Sequence, residues 1–458
     1  MVPLPLDLAV TVLHFVFSFF QATRPAGIDY LPVTTTPDPG LPKHVWHNLA
    51  QYAPWFSAGT YPAIPPSCKL TQVNLIERHG ARFPTKSAGA KIESTIDKLH
   101  RVRKFKDPSL EFLRGYVYDL GVEDLVPYGA TQSFDSGRGA ASRYASLVSS
   151  DPVSIPFLRA AGDERVVDSG TNWTVGFKST YPTVPIAPPL IIPERNSNNT
   201  LSDHMCPNAG DAKAADAQWL SSYSPPILER LNRDAPGADL EAEDVYNLMS
   251  MCAFHTVWIQ RMSAFCGIFE DEEWELYEYG GDIDKFYKTG YGQRLGPVQG
   301  VGWINELIAR LTSSPVIDHT QTNRTLDSSP LTFPLNRTIY VDFSHDNQMI
   351  AIYAAMGLFR QTKLLNTTYP DLDPERTWIT SKLVPFGARM AVERLYCSGQ
   401  GLGLESESGT YVRVMVNDAL QPLEFCGAVN GLCTLQAFLD SQDYARADGR
   451  GDFDLCYA

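Results

Sequence analysis

Long apolar runs are scarce in this chain of 458 residues. Leu8 to Phe20 is the one run of note, and it falls short of the roughly 20 apolar residues that a membrane-spanning helix needs. No membrane partner is therefore expected. No two cysteines stand as C-x-x-C, which argues against a zinc ribbon or a thioredoxin-like redox site. No H-E-x-x-H cluster is present, so the usual helical zinc-hydrolase arrangement is missing too. Gly290, Gly292 and Gly296 have the wrong spacing for a dinucleotide loop and follow no strand. Neither a metal nor a cofactor is expected. Positive charge is also short, with 38 Lys and Arg against 52 Asp and Glu and a formal net charge of −14. A chain of that balance does not seek nucleic acid or anionic lipid as a whole. An anionic ligand must be drawn by local charge.

What is present fits a large folded protein. With 44% hydrophobic residues and 11% aromatics, the chain can bury a core sufficient for one large or two smaller domains. The eight cysteines, Cys68, Cys206, Cys252, Cys266, Cys397, Cys426, Cys433 and Cys456, are even in number and widely spread. Five N-x-S/T sequons, at Asn172, Asn198, Asn323, Asn336 and Asn366, are glycosylation candidates and fit an oxidising secretory route. Leu8–Phe20 then reads as the core of a signal peptide spanning 1–22, cut after Ala22, although no Lys or Arg precedes Arg24. The expected product is secreted. Residues 23–65 are rich in proline and are expected to wrap the surface as loop.

Beyond that wrap the pattern alternates. Strand-like runs at 71–77, 339–343 and 411–416 are separated by helical periodicity at 92–103, 132–148, 212–222 and 243–254. Asp211 is the expected N-cap of the third helix, and a further helix is expected from Pro297 through Arg310. The implied architecture is α/β, with a sheet domain from 66–185 and 311–458 and a smaller, mainly helical cover domain from 186–310. The cleft between them would hold a small-molecule substrate.

The chemistry lies in Arg78-His79-Gly80-Ala81-Arg82-Phe83-Pro84-Thr85, directly after the first strand. Two guanidiniums flanking an imidazole make poor sense as a stabilising device, because they repel each other and oppose imidazole protonation. They make sense around an anion. Arginine forks match phosphate oxygens, and a neutral imidazole can attack phosphorus. A second strand ends in Ser344-His345-Asp346-Asn347. Ligands gather at the carboxyl ends of strands in open α/β sheets, so the two ends can share one site. There Asp346 can supply the proton that an alkoxide leaving group needs. Lys86 and Lys91 head a basic stretch after the first motif and are candidates for substrate contact.

The run from Arg78 to Thr85 resembles the signature of the histidine acid phosphatases, the phosphatase branch of the phosphoglycerate-mutase-like superfamily. The resemblance implies His79 as nucleophile, Arg78, Arg82 and His345 as phosphate ligands, and Asp346 as proton donor. It implies one further arginine followed four residues later by a small residue, a register that Arg165 and Ser169 fit and Arg159 does not. The fold it implies is the phosphoglycerate-mutase-like sheet domain with helices on both faces, plus the helical domain.

From about Cys68 to Cys456 the chain is most similar to the fungal phytases, especially the basidiomycete type. The likeness is carried also by 296–302, 322–327 and 412–418. It implies a monomeric enzyme acting on phytate, with the broad-specificity acid phosphatase as the alternative. It further implies the pairs Cys68 with Cys397, Cys206 with Cys456, Cys252 with Cys266, and Cys426 with Cys433. Two other classes stand against it. A metal hydrolase using His79, His345 and Asp346 as ligands would have to overcome the cation-repelling arginines, and a vestigial binding glycoprotein would not need every reactive group kept.

Overall fold

The computed structural model describes residues 36–149, 151–370, 375–398 and 408–458, all within one compact unit, Thr34–Ala458. The expected leader, the start of the expected wrap and the proposed cut after Ala22 lie outside the described residues.

Among the described residues eight strands form one sheet: β1 (Cys68–Arg78), β2 (Phe157–Ala161), β3 (Leu190–Ile192), β4 (Ile339–Ser344), β5 (Arg389–Cys397), β6 (Gly409–Val416), β7 (Ala419–Leu420) and β8 (Cys433–Thr434). The order is β3-β2-β4-β1-β5-β6-β7, with β8 on β6. β3, β2, β4 and β1 run parallel, and β5 joins β1 antiparallel to begin the meander that closes the far side. Val73, Leu75 and Ile76 in β1 and Ile339–Phe343 in β4 are all buried, because helices cover both faces of the parallel half.

Eight longer helices matter for the site: α1 (Lys86–His100), α2 (Pro127–Arg143), α3 (Glu164–Thr180), α4 (Lys213–Asp234), α5 (Ala242–Ile259), α6 (Asp271–Lys288), α7 (Val301–Thr312) and α8 (Asp346–Met356). Side chains of the strands report which helix covers which face. Glu77 of β1 accepts from Ser136 of α2 and Trp173 of α3, whereas Asp342 of β4 accepts from Trp303 and Arg310 of α7. The sheet is thus sandwiched, as the α/β reading requires.

Two hydrophobic cores exist, and they divide the chain differently from the expected 186–310 segment. One core surrounds the sheet and includes Ile192, Trp303, Ile304 and Leu307. The other joins α4, α5 and α6 to α1 and its following loop, through Ile92, Ile96, Leu99, Leu110 and Leu113. Apolar periodicity explains the difference: α1 presents Ile92, Ile96 and Leu99 on one face, and that face meets α5 rather than the sheet. Residues 190–192 extend the sheet because they pair with β2.

Two smaller expectations are also corrected. Segment 36–65 is not merely a surface wrap: it forms a short helix, Lys43–Trp46, and buries Leu41, Val45, Leu49 and Ala53 in the helical core. Asp211 is not the N-cap of α4. Ala212 holds that position, and the Asp211 carboxylate accepts the Lys213 N–H at 3.2 Å from one residue earlier. Four disulfides join Cys68 to Cys397, Cys206 to Cys456, Cys252 to Cys266 and Cys426 to Cys433, the same pairs that the resemblance implied.

Candidate active site

The four parallel strands each deliver a polar group at the carboxyl edge of the sheet. β1 ends in Arg78 and runs into His79, β4 runs into His345 and Asp346, β2 leads to Arg165 in the first turn of α3, and β3 leads to Glu194. In register Arg78 stands beside Ser344, and the His79 N–H donates to the Ser344 carbonyl at 3.1 Å. The ladder itself therefore brings His79 and His345 together, with ring centroids 5.7 Å apart. Gly80 packs against α2: a Cβ there would lie 2.3 Å from the Gly129 carbonyl oxygen. The close neighbour that Gly80 admits is thus a helix. The Gly80 N–H donates to Ser169 Oγ, and Ser169 Oγ donates to the Arg165 carbonyl, so Arg165 is tied directly to the His79 loop.

His79 is buried, and its Nδ1 lies 2.8 Å from the Gly80 carbonyl oxygen. A carbonyl can only accept, so Nδ1 carries the proton and the lone pair sits on Nε2. Burial first, and then the charges of Arg78, Arg82, Arg165 and His345, hold this imidazole well below the usual histidine range. It stays neutral in acid. Arg78 is also buried, and burial pushes it down to about 10. Its Nη1 donates to the Gln51 and Val384 carbonyls. Its guanidinium lies 4.7 Å over the Phe386 ring.

Three guanidinium nitrogens here are buried without a hydrogen bond, Nε of Arg78, Arg82 and Arg165, and Arg78 Nη2 has only its ion pair with Asp346. Buried donors are nearly always satisfied. Three arginines with spare donors beside the lone pair of His79 Nε2 can receive a tetrahedral oxyanion. The N-terminus of α8, opening at Asp346 directly after His345, adds a favourable dipole.

Asp346 is held on both sides, with Oδ2 at 3.3 Å from Arg78 Nη2 and 3.0 Å from Lys285 Nζ. Burial works to raise its pKa, but Arg78 and Lys285 win and hold the carboxyl well below its usual range. Asp346 is therefore ionised. His345 Nε2 lies 2.8 Å from Glu194 Oε1. Asp163, Glu194 and His345 have ligand atoms close enough to hold a cation, but Asp163 is already paired with Arg165 at 2.7 Å and Glu194 with His345. The cleft in front of these groups has a volume of about 800 Å³, several times what one phosphate fills. Tyr52, Lys91, Lys213, Asp216, Lys285 and Lys288 line its walls.

Comparison with known proteins accounts for this arrangement. The sequence profile of the histidine phosphatase superfamily (branch 2) matches residues 69–417. The chain belongs to that superfamily. It is 40% identical over 427 residues to a phytase A of Aspergillus terreus, covering 88% of this chain and 89% of the relative. To the phytase A of Aspergillus oryzae it is 37% identical over 438 residues, covering 91% of each. The solved phytase of D. castellii shares the fold, with a TM-score of 0.72 at 24% identity over 89% of this chain and 85% of that one. So does the Bifidobacterium longum multiple inositol polyphosphate phosphatase in complex with inositol hexasulfate, with a TM-score of 0.58 at 14% identity, over 88% of this chain and 98% of that one.

The structure brings most of the residues singled out in the sequence to one place. Arg78, His79, Arg82, Arg165, His345 and Asp346 all meet at the sheet edge. Arg159 lies elsewhere, buried between Asp342 and Glu306. Lys91 lines the cleft but pairs with Glu243 at 2.6 Å, and Lys86 is exposed and outside the lining. Sequence reasoning missed Lys285, Glu194 and the Gln51 carbonyl that accepts from Arg78. Glu194 follows the apolar run Leu190–Ile192, which is too short to read as a strand end. Lys285 carried only a faint signal, a cation directly after Asp282 and Asp284.

Proposed function

We propose that this chain is a secreted phytase, which hydrolyses phosphate monoesters of myo-inositol hexakisphosphate through a phosphohistidine on His79. The observation that carries the reading is the set of unsatisfied guanidinium nitrogens of Arg78, Arg82 and Arg165 around the neutral His79. Relatives at 37% and 40% identity over most of both chains are phytases, and the cleft has room and lysines for a polyphosphorylated ring.

In this mechanism the three arginines and His345 bind the phosphoryl oxygens. His79 Nε2 attacks phosphorus in line, the P–O bond to the inositol oxygen breaks, and that oxygen takes a proton from Asp346. Water then attacks the phosphohistidine, Asp346 takes its proton, and His79 is regenerated with release of phosphate. Ionised Asp346 must first gain the proton it later gives. An arriving phosphate dianion occupies Arg78 and repels the carboxylate, which raises the Asp346 pKa. The proton can equally come with a monoanionic phosphate. The monoanion route closes as pH rises through the phosphate second pKa of about 6, and the dianion route closes as pH passes the raised Asp346 pKa, so the reaction belongs to acid conditions.

Secretion is supported by the apolar run at 8–20 and by four disulfides. Among the described residues no helix is long and apolar enough to cross a membrane. Of the sequons, Asn198 and Asn336 are exposed, and Asn172, Asn323 and Asn366 are half-buried. The broad acid phosphatase is the second reading, and kinetics separate the two. The expected kcat/KM for phytate exceeds that for p-nitrophenyl phosphate, with chromatography showing one dominant first inositol pentakisphosphate. A many-fold preference for the aryl ester would replace the phytase reading. Turnover is expected to be undiminished in excess EDTA, since the arginines exclude a catalytic cation; loss of activity restored by a metal would reverse that.

A further inference from the structure

Glu194 stands at the carboxyl end of the fourth parallel strand and faces the site without touching the oxyanion receptor. Its side chain is buried, and its contacts are specific. Oε1 receives the Asp163 N–H at 3.0 Å and lies 2.8 Å from His345 Nε2. Oε2 receives Ser202 Oγ at 3.2 Å and lies 3.5 Å from the exposed His204 Nε2. Burial opposes its ionisation, yet the bonds from His204 and His345 hold it far below the usual carboxylate range, so it is an anion.

An anionic carboxylate can only accept, which makes His345 Nε2 a donor. The ring nitrogen left for a ligand is then Nδ1, and His345 lines the cleft. A neutral imidazole in that tautomer would offer substrate oxygens only a lone pair. To bind a phosphoryl oxygen it must donate from Nδ1 as well, and a donor at both nitrogens is an imidazolium. Glu194 is the one carboxylate hydrogen-bonded to this ring among the described residues, and it supplies the compensating charge.

We propose that Glu194 is a positioning residue of the reaction: it holds His345 through Nε2 so that Nδ1 donates to the phosphoryl group during transfer. The inference rests on the proposed phosphohistidine reaction and adds to it a group that no motif in the sequence marks. The Asp163 N–H and Ser202 Oγ fix the carboxylate itself, so its effect is transmitted through His345.

A double-mutant cycle tests this. Glu194→Gln keeps size and hydrogen-bonding reach and removes the charge. In the otherwise wild-type protein it is expected to lower kcat on phytate about 10–100-fold, the range found when the partner of a metal-bound histidine is lost. Inhibition by inorganic phosphate should weaken in parallel. In a His345→Ala background the same change should alter kcat by less than about threefold, because the group it acts through is gone. An equal loss in both backgrounds, or none in the first, would overturn the proposal. If Glu194→Gln does not fold, ¹⁵N shifts of the His345 ring in the wild-type phosphate complex decide the matter. Protonation at both nitrogens is expected, and an unprotonated Nδ1 would contradict it. Phytate turnover that survives His79→Ala strikes the reaction itself, whereas an additive cycle strikes only Glu194.

Discussion

His79 and Asp346 carry opposite electrostatic problems within one small volume. His79 is kept neutral by burial and by the arginines, so acid does not silence it; Asp346 is kept ionised by Arg78 and Lys285, so it must be charged with a proton by the substrate's arrival. The proposed proton donor should matter most where the leaving group is most basic. Asp346→Asn is expected to slow phytate hydrolysis by about 10²–10⁴-fold and p-nitrophenyl phosphate hydrolysis much less, with phosphorylation limiting both. Equal losses in stopped-flow measurements would assign Asp346 to binding. A second residue-scale expectation concerns Asp216, whose carboxyl in the cleft wall is raised to about 7 by burial and by Asp284. Because its folded pKa lies above the unfolded value of 3.8, it stays neutral in acid, and the stability it costs builds up as pH rises from 3.8 to about 7. Asp216→Asn should therefore tighten phytate binding at pH 8 and change it little at pH 5, and raise Tm more at pH 8 than at pH 5. No gain at pH 8 would mean that Asp216 neither faces the substrate nor is charged there. At this scale the sequence was readable where chemistry is local: Arg78, His79 and Arg82 are near neighbours, and so are His345 and Asp346. Glu194 and Lys285 are single residues whose significance appears only when the chain folds.

Elements bring these residues into reach through contacts that tolerate no bulk. The His79 loop rests on the start of α2, where a Cβ on Gly129 would lie 2.1 Å from the Ala81 carbonyl oxygen. Gly129→Ala is therefore expected to push α2 off the loop, at a cost of about 1–3 kcal/mol from overpacking. Thermal unfolding should show a lower Tm, and kcat should fall although no reacting group has changed. An unshifted Tm with normal kcat would show that the contact can relax freely. Strands β1, β4 and β6 were legible as β-branched runs and the helices α1, α2, α4 and α5 by their period. β3 and β8 were not, since 190–192 and 433–434 are too short for any period to show. β2 was hidden by Arg159, a buried charge in the middle of a strand that is satisfied only by Asp342 and Glu306 from distant segments.

Across the whole molecule, the charge balance and the site point in opposite directions. A chain of net charge −14 concentrates unsatisfied guanidiniums at one sheet edge, so anion binding is local. The two-core arrangement was foreseen only in outline, because a division by sequence segments cannot show that 86–126 leaves the sheet for the helical side. The ends of the fold are tied by Cys68–Cys397 and Cys206–Cys456, across sequence separations of 329 and 250. Replacing Cys206 and Cys456 by alanine is expected to cost about 2–5 kcal/mol in denaturant unfolding, with the site chemistry intact below the transition. The central claim is that phosphoryl groups pass through His79. Rapid quenching of the enzyme with ³²P-labelled phytate, followed by digestion and mapping, tests it most directly. The account expects an acid-labile, base-stable label on the peptide containing His79, and no label in His79→Ala. Full turnover by His79→Ala, or a label on another residue, would contradict it.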